Sequence, residues 1–301
     1  MESYDFLYKY DRYMPLNSEV NLLNEEKHYI VYKVYYNSVN SVRVPSLFIV
    51  PKVHEEKYPC LIFLHGYGGR KEDALKLADV VAKEGYAILS IDAPYHGERK
   101  VSGKVLYSPN LEETKRNFIQ TVIDLRRGVD FLETRSEVDK TRLGYVGGSM
   151  GGILGAIFIG IEERIKVAVL VVAGGNLPLM IEKSQHPAVP PIRRRIKELG
   201  LTYEDVRRIV DPVDPLNFIY HFSPKPLQFH LGIKDRIVPA EAGKLLVERA
   251  GEPKEVYWYD TGHNVPLDIV VARSLDFFDR YLKNERPLLP REFKLRLLGK
   301  W

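Results

Sequence analysis

Apolar residues recur along this chain with two periods, one of two residues and one near three and a half, and the two alternate. Residues 28–36 and 42–50 alternate or run apolar in the manner of two paired strands, whose side chains point to opposite faces at every second position. Pro45 inside the second predicts an edge strand or a bulge, because proline has no N–H to give to a ladder. Residues 60–64 read as a strand, 72–83 as a helix closed by Gly85, and 87–91 as the next strand. Phe118, Val122, Leu125, Val129 and Leu132 then recur at steps of four and three, one buried face of a helix. Residues 143–146 form a strand that runs into a glycine-rich turn and a helix of small residues. Further strands are predicted at 167–173, 226–232 and 255–259. A helix starting near Pro239 separates the last two and ends before Gly251, and a final helix covers 267–282.

Short apolar strands alternating with amphipathic helices demand a mostly parallel sheet with helices on both faces. The fold class is α/β, and the pattern fits one domain spanning the chain. One stretch breaks the rhythm. From residue 176 to about 220 there is no strand, only Pro-rich turns flanking basic runs such as Ile192-Arg193-Arg194-Arg195-Ile196. About forty structureless residues would be out of place in a compact domain, so a small helical insertion is predicted. Its triple arginine reads as a solvated helix face. The tail 285–301, with Pro287, Pro290 and five basic residues, either packs across the surface or contacts another subunit. A homodimer therefore stays open.

Composition narrows the function classes. The 301 residues carry 44 Lys and Arg against 40 Asp and Glu, a net charge of +4, and are 45% hydrophobic. That is a globular protein and excludes disorder. Charges of both signs interleave, so no basic stripe points to nucleic acid. A single cysteine, Cys60, excludes a disulfide framework and any multi-thiolate metal site, and it reads as a core thiol within its apolar strand. Residues 143–161 hold no charge over 19 positions, long enough to span a bilayer. Seven glycines in that run, bunched at Gly147-Gly148 and Gly151-Gly152, mark a buried strand, turn and helix instead. No transmembrane segment is expected. Met1-Glu2-Ser3-Tyr4-Asp5 lacks the basic, then apolar, opening of a secretory signal, and the expected compartment is the cytoplasm. Three glutamines and one cysteine amid abundant Lys and Glu point to a thermophilic source.

The chemistry starts at Gly147-Gly148-Ser149-Met150-Gly151-Gly152, after a strand and before a helix. A serine on such a turn takes a strained backbone conformation, and its neighbours two residues away must lack side chains for the chain to pass. The hydroxyl is lifted above the sheet edge at a helix N-terminus. His65-Gly66-Tyr67-Gly68-Gly69 follows the strand 60–64 and can aim backbone N–H groups at the same point. Downstream, Asp235 lies on a loop after the strand 226–232, and His263 on a loop after 255–259. Ser149, Asp235 and His263 then supply a nucleophile, an orienting acid and a general base. Asp260, three residues before His263, reads as a brace of its own turn. His65 reads as a structural brace, and His96 as a structural residue or a pocket lining. His221 and His230 have no partner at ligand spacing, so no metal site is expected.

In this order and context the motifs resemble the α/β-hydrolase superfamily across nearly the whole chain. Within it the chain looks most like the esterases and deacylases grouped with dienelactone hydrolases, acetyl xylan esterases and the prolyl-oligopeptidase catalytic domain. The markers are His65-Gly66-Tyr67-Gly68-Gly69, Asp92-Ala93-Pro94-Tyr95-His96-Gly97-Glu98-Arg99 and the glycines around Ser149. The resemblance implies oxyanion donors at the backbone N–H groups of Tyr67 and Met150, and a cap formed by the helical insertion. Leu179 and Phe218 of that insertion either line an acyl pocket or belong to its own small core. Serine stands where dienelactone hydrolases carry cysteine, and no propeller accompanies the domain. The activity implied is a serine carboxylesterase acting on short- to medium-chain acyl esters through an acyl-enzyme, with no metal or organic cofactor. A peptidase or amide hydrolase is the enzymatic alternative, and a catalytically silent ligand-binding scaffold the other.

Overall fold

The computed structural model describes residues 4–53, 55–285 and 290–292. The strands are β1 (Glu19–Glu25), β2 (Tyr29–Asn37), β3 (Arg43–Pro51), β4 (Tyr58–Leu64), β5 (Ala87–Ile91), β6 (Val138–Gly148), β7 (Ile165–Val171), β8 (Leu227–Gly232) and β9 (Lys254–Tyr259). Among the described residues they form one sheet in the order β1-β2-β3-β5-β4-β6-β7-β8-β9. The ladders from β5 to β9 are parallel, and the first three strands join them antiparallel. Strand β1 was not legible as a strand: it lies at the sheet edge with nearly every residue exposed, so no alternation of polarity marks it.

The two-residue strand period sorts the core into two layers. Phe48, Ile62, Leu89 and Leu170 point to one face, their neighbours Leu47, Leu61, Ile88 and Val169 to the other. The first face is covered by α2 (Leu111–Glu133) and α3 (Met150–Ile161), whose buried residues join that cluster. The second is covered by α1 (Leu75–Lys83) and α8 (Leu267–Phe278). The predicted stripe of α2 is buried throughout, and Cys60 is fully buried in β4. The uncharged run 143–161 divides between β6, a turn at Ser149 and α3, and no helix among the described residues is long and apolar enough to cross a membrane.

Residues 176–220 are helical: α4 (Leu177–Lys183), α5 (Val189–Glu198) and α6 (Tyr203–Val210), followed by short 3₁₀ turns. Local chemistry starts two of these helices. Asn176, in the left-handed region at φ 63°, accepts the Leu179 N–H, and Thr202 forms a reciprocal capping box with Asp205. After β8, α7 (Ala240–Arg249) leads into β9.

Two readings of the sequence need correction. Pro45 is neither at an edge nor in a bulge: β3 lies between β2 and β5 in unbroken register with β2. Proline is tolerated there because the β3–β5 ladder ends beside it, at Ser46 and Ile91. The Asp92 N–H still donates to the Pro45 carbonyl (3.0 Å), and the Asp92 carbonyl takes its donor from Arg99 Nη1 (3.0 Å). The triple arginine is not uniformly solvated either. The Arg193 guanidinium turns inward and donates to the Ile181 and Ser184 carbonyls, each at 2.6 Å, at the end of α4. Of the tail, the described Arg291 binds Asp276 and Asp279 of this chain and Glu292 binds Arg273, so this part packs on the molecule itself. Residues 286–289 and 293–301 lie outside the described residues.

Candidate active site

The loops that follow β4, β5, β6, β8 and β9 converge at one edge of the sheet, where open α/β sheets bind ligands. Ser149 sits between β6 and α3 at φ 54° and ψ −117°, a positive-φ conformation that costs an L-residue free energy. It is held there by its N–H to the Val171 carbonyl (2.8 Å) and by the Ile153 N–H to its own carbonyl (2.9 Å). The flanking glycines are a steric requirement. A Cβ at Gly147 would lie 2.5 Å from the Gly151 carbonyl oxygen, and one at Gly151 would run into the Leu64 carbonyl at the end of β4.

The structure brings three of the predicted side chains into one chain of hydrogen bonds. Ser149 Oγ lies 3.0 Å from His263 Nε2, and His263 Nδ1 lies 2.7 Å from Asp235 Oδ2. The other carboxylate oxygen of Asp235 accepts the Ile237 and Val238 N–H groups at 2.8 and 3.1 Å, which fixes the carboxylate plane. Asp235 is buried, so Nδ1–H of His263 has a fixed acceptor and Nε2 is left to receive the serine proton. Asp260 is exposed and pairs with Lys234 at 2.7 Å.

The loop after β4 lies against the serine. A Cβ at Gly66 would sit 3.8 Å from Ser149 Cβ. Gly68, at φ 78°, and the Gly69 N–H to Gly66 carbonyl bond (3.0 Å) turn this loop back. His65 anchors it: Nδ1–H donates to the Gly66 carbonyl (2.8 Å), and Nε2 accepts the Ala93 N–H (3.2 Å) from the loop after β5. Burial holds this ring neutral, with its pKa lowered to about 4. Asp92 ties the same two loops, accepting the Lys71 N–H (2.8 Å), Lys71 Nζ (3.0 Å) and the Glu98 N–H (2.9 Å). His96 is likewise braced, its Nδ1–H donating to the Pro94 carbonyl at 2.9 Å. Met150 is the first residue of α3, whose opening N–H groups lack helical partners.

A cavity of about 70 Å³ opens beside Ser149. Its wall is mainly apolar, with Leu111 and Phe118 from α2, Ile153 from α3, Met180 from α4 and Ile192 from α5. Tyr67, Tyr107 and His186 add an aromatic side. Leu179 and Phe218 are not part of this wall. Phe218 is fully buried against Tyr8, ring edge to face at 5.5 Å, and its backbone lies against Gly160 of α3. Tyr107 and His186 were not singled out from the sequence. Tyr107 falls in an irregular loop with no local pattern, whereas His186, a titratable ring inside an insertion beside the site, was a usable signal.

An α/β sheet carrying a serine elbow, a histidine and a buried carboxylate at successive strand ends defines an α/β-hydrolase of the serine carboxylesterase class. The acetyl xylan esterase (AXE1) family profile matches residues 12–173, and the chain belongs to that family. It is similar to Esterase YjfP of Escherichia coli (strain K12), 22% identical over 219 residues that cover 69% of this chain and 82% of that protein. Among the solved structures that share its fold are two acetyl xylan esterases. The acetyl xylan esterase from Paenibacillus sp. R4 superposes with a TM-score of 0.78 at 22% identity, covering 93% of this chain and 92% of that one. Acetyl xylan esterase 1 from Thermoanaerobacterium sp. JW/SL YS485 gives 0.78 at 19% identity, over 90% and 91%. The chain is a carboxylic ester hydrolase.

Proposed function

We propose that Ser149, His263 and Asp235 are the catalytic triad and that the substrate is an uncharged ester of short to medium acyl length. The observation that carries this reading is the unbroken relay from Ser149 Oγ through His263 to Asp235, at 3.0 and 2.7 Å. Ser149 attacks the ester carbonyl while His263 Nε2 takes its proton, and Asp235 holds the imidazole in the tautomer that can do so. The negative charge on the carbonyl oxygen is met by the N–H groups of Tyr67 and Met150, fixed before the reaction begins. The alcohol leaves with the proton from His263, and water activated by the same ring cleaves the acyl-enzyme.

Supporting the substrate class is the cavity itself: about 70 Å³ is room for a small acyl group, and a lining without Lys, Arg, Asp or Glu offers a charged one no ion partner. Acetyl, the group in the family's name, fits this size. Helices α4 to α6 act as a cap that sets acyl length, since they supply Met180 and Ile192 to the wall. The test is labelling by a fluorophosphonate, followed by p-nitrophenyl esters of graded acyl length. Labelling at Ser149 and kcat/KM falling steeply beyond medium chains are expected. An unlabelled Ser149 in an active enzyme would overturn the assignment.

A further inference from the structure

His186 stands in the wall of the catalytic cavity, yet it belongs to neither the serine relay nor the oxyanion loop. Three hydrogen bonds from the segment Ser184-Gln185-His186 decide how its ring is held. Ser184 Oγ donates to the Ile237 carbonyl (2.5 Å) and accepts the His186 N–H (3.0 Å), while the Gln185 N–H donates to the Arg236 carbonyl (2.7 Å). The segment is therefore pinned to the loop that carries Asp235. The ring stands edge to face against Tyr67, centroids 4.8 Å apart at 87°, and against Tyr107 at 5.9 Å and 82°. Those two tyrosines are stacked on each other at 4.9 Å and 11°.

The protonation state of the ring follows from its contacts. His186 Nδ1 lies 3.1 Å from the Ala188 backbone N–H, which can only donate. Nδ1 is thus an acceptor, and the neutral ring carries its proton on Nε2. Burial, then the neighbouring His263, lowers its pKa, so the ring stays neutral while His263 takes and returns the serine proton. The cavity wall accordingly holds one uncharged imidazole N–H among side chains that are mainly apolar.

We propose that His186 is a specificity-determining residue, its Nε2–H donating a hydrogen bond to a second oxygen of the substrate close to the scissile ester. The proposal rests on the ester-hydrolase reading of the site and narrows its substrate class. Favoured substrates are esters with an ether, hydroxyl or carbonyl oxygen two or three atoms from the ester group, over hydrocarbon esters of equal shape. A neutral donor suits such an oxygen because it adds no charge that would need an ion partner in an apolar wall.

Two shape-matched pairs of substrates test this. On the alcohol side, 2-methoxyethyl butyrate is compared with n-butyl butyrate; on the acyl side, p-nitrophenyl methoxyacetate with p-nitrophenyl butyrate. For each pair the ratio of kcat/KM is measured in the wild type, H186F and H186Q. Phenylalanine keeps a ring against Tyr67 and Tyr107 but has no N–H; glutamine places an amide N–H near the position of Nε2. The methoxyacetates carry a more electrophilic carbonyl, so the change in ratio between variants is the readout, which cancels that intrinsic difference. In one of the two pairs H186F should lower the ratio by about 3- to 10-fold, the size expected of one neutral hydrogen bond, and H186Q should recover part of it. Ratios unmoved in both pairs by H186F, with the variant folded by circular dichroism, would overturn the proposal. So would a loss in H186Q equal to that in H186F. A wild type that cleaves none of the four esters would instead count against the reading of the site as a whole.

Discussion

Asp235 and His263 are 28 residues apart along the chain and 2.7 Å apart in space, whereas Asp260, three residues from that histidine, faces Lys234. Asparagine at 235 would still reach His263 but could offer its N–H₂ where the carboxylate accepted, leaving the imidazole in the wrong tautomer. D235N should lose about 10⁴ in kcat, by the measured precedent of the serine-protease triad. D260N removes only an exposed ion pair and should lose no more than about tenfold. Steady-state kinetics on one ester, with both variants checked for folding, gives the ranking.

Replacing Ser149 tests nucleophile and strain together. S149A should abolish turnover down to a residual of about 10³- to 10⁴-fold over water, left by binding and the oxyanion N–H groups. Alanine must still occupy φ 54°, but glycine adopts it freely. S149G should therefore be equally inactive and more stable than S149A by about 1 kcal/mol, within the range for one strained residue. Urea unfolding of the two variants measures the difference.

Met180 and Phe218 should separate under truncation. M180A enlarges the cavity and should shift the optimum of an acyl-length series towards longer chains. F218A leaves a hole between Tyr8 and α3, costing about 3–5 kcal/mol of stability without moving that optimum. Thermal unfolding alongside the ester series distinguishes the two outcomes.

Acid should begin to destabilise the fold near pH 6.5, where the buried histidines first oppose protonation. Burial lowers the pKa of His65 to about 4 and that of His230 to about 3, from an ordinary value near 6.5. Between pH 6.5 and 4 the unfolded chain binds protons on these rings that the folded one refuses, so stability falls as pH falls. It is fully present above about 6.5. Each ring contributes up to about 1.4 kcal/mol per pH unit within the window. The variant H230Q should unfold in urea with a visibly shallower pH dependence between 6.5 and 4 than the wild type.

The sequence by itself determined the strand–helix alternation, the α/β class, the serine elbow and the order Ser149, Asp235, His263. These are local or ordinal properties: side-chain period is set by backbone geometry, and the glycines stand two residues either side of the serine, a spacing that is read directly along the chain. Helix α2 was legible because its buried stripe repeats over many turns, while β1 was not, because an exposed edge strand imposes no such pattern. The tolerance of Pro45 depended on where a neighbouring ladder ends and on Arg99, which lies far along the chain. Only the tertiary structure decided which hydrophobic residues of the insertion face Ser149 and which face inward. Leu179, Met180 and Phe218 are equally apolar, so the sequence treats them alike. Their assignment depends on how α4 packs against α5 and α6 and the turns after α6 against α3, a matter of contacts between separate segments. The same holds for His186, whose tautomer and place beside Ser149 are set by hydrogen bonds to its own turn and to the Asp235 loop.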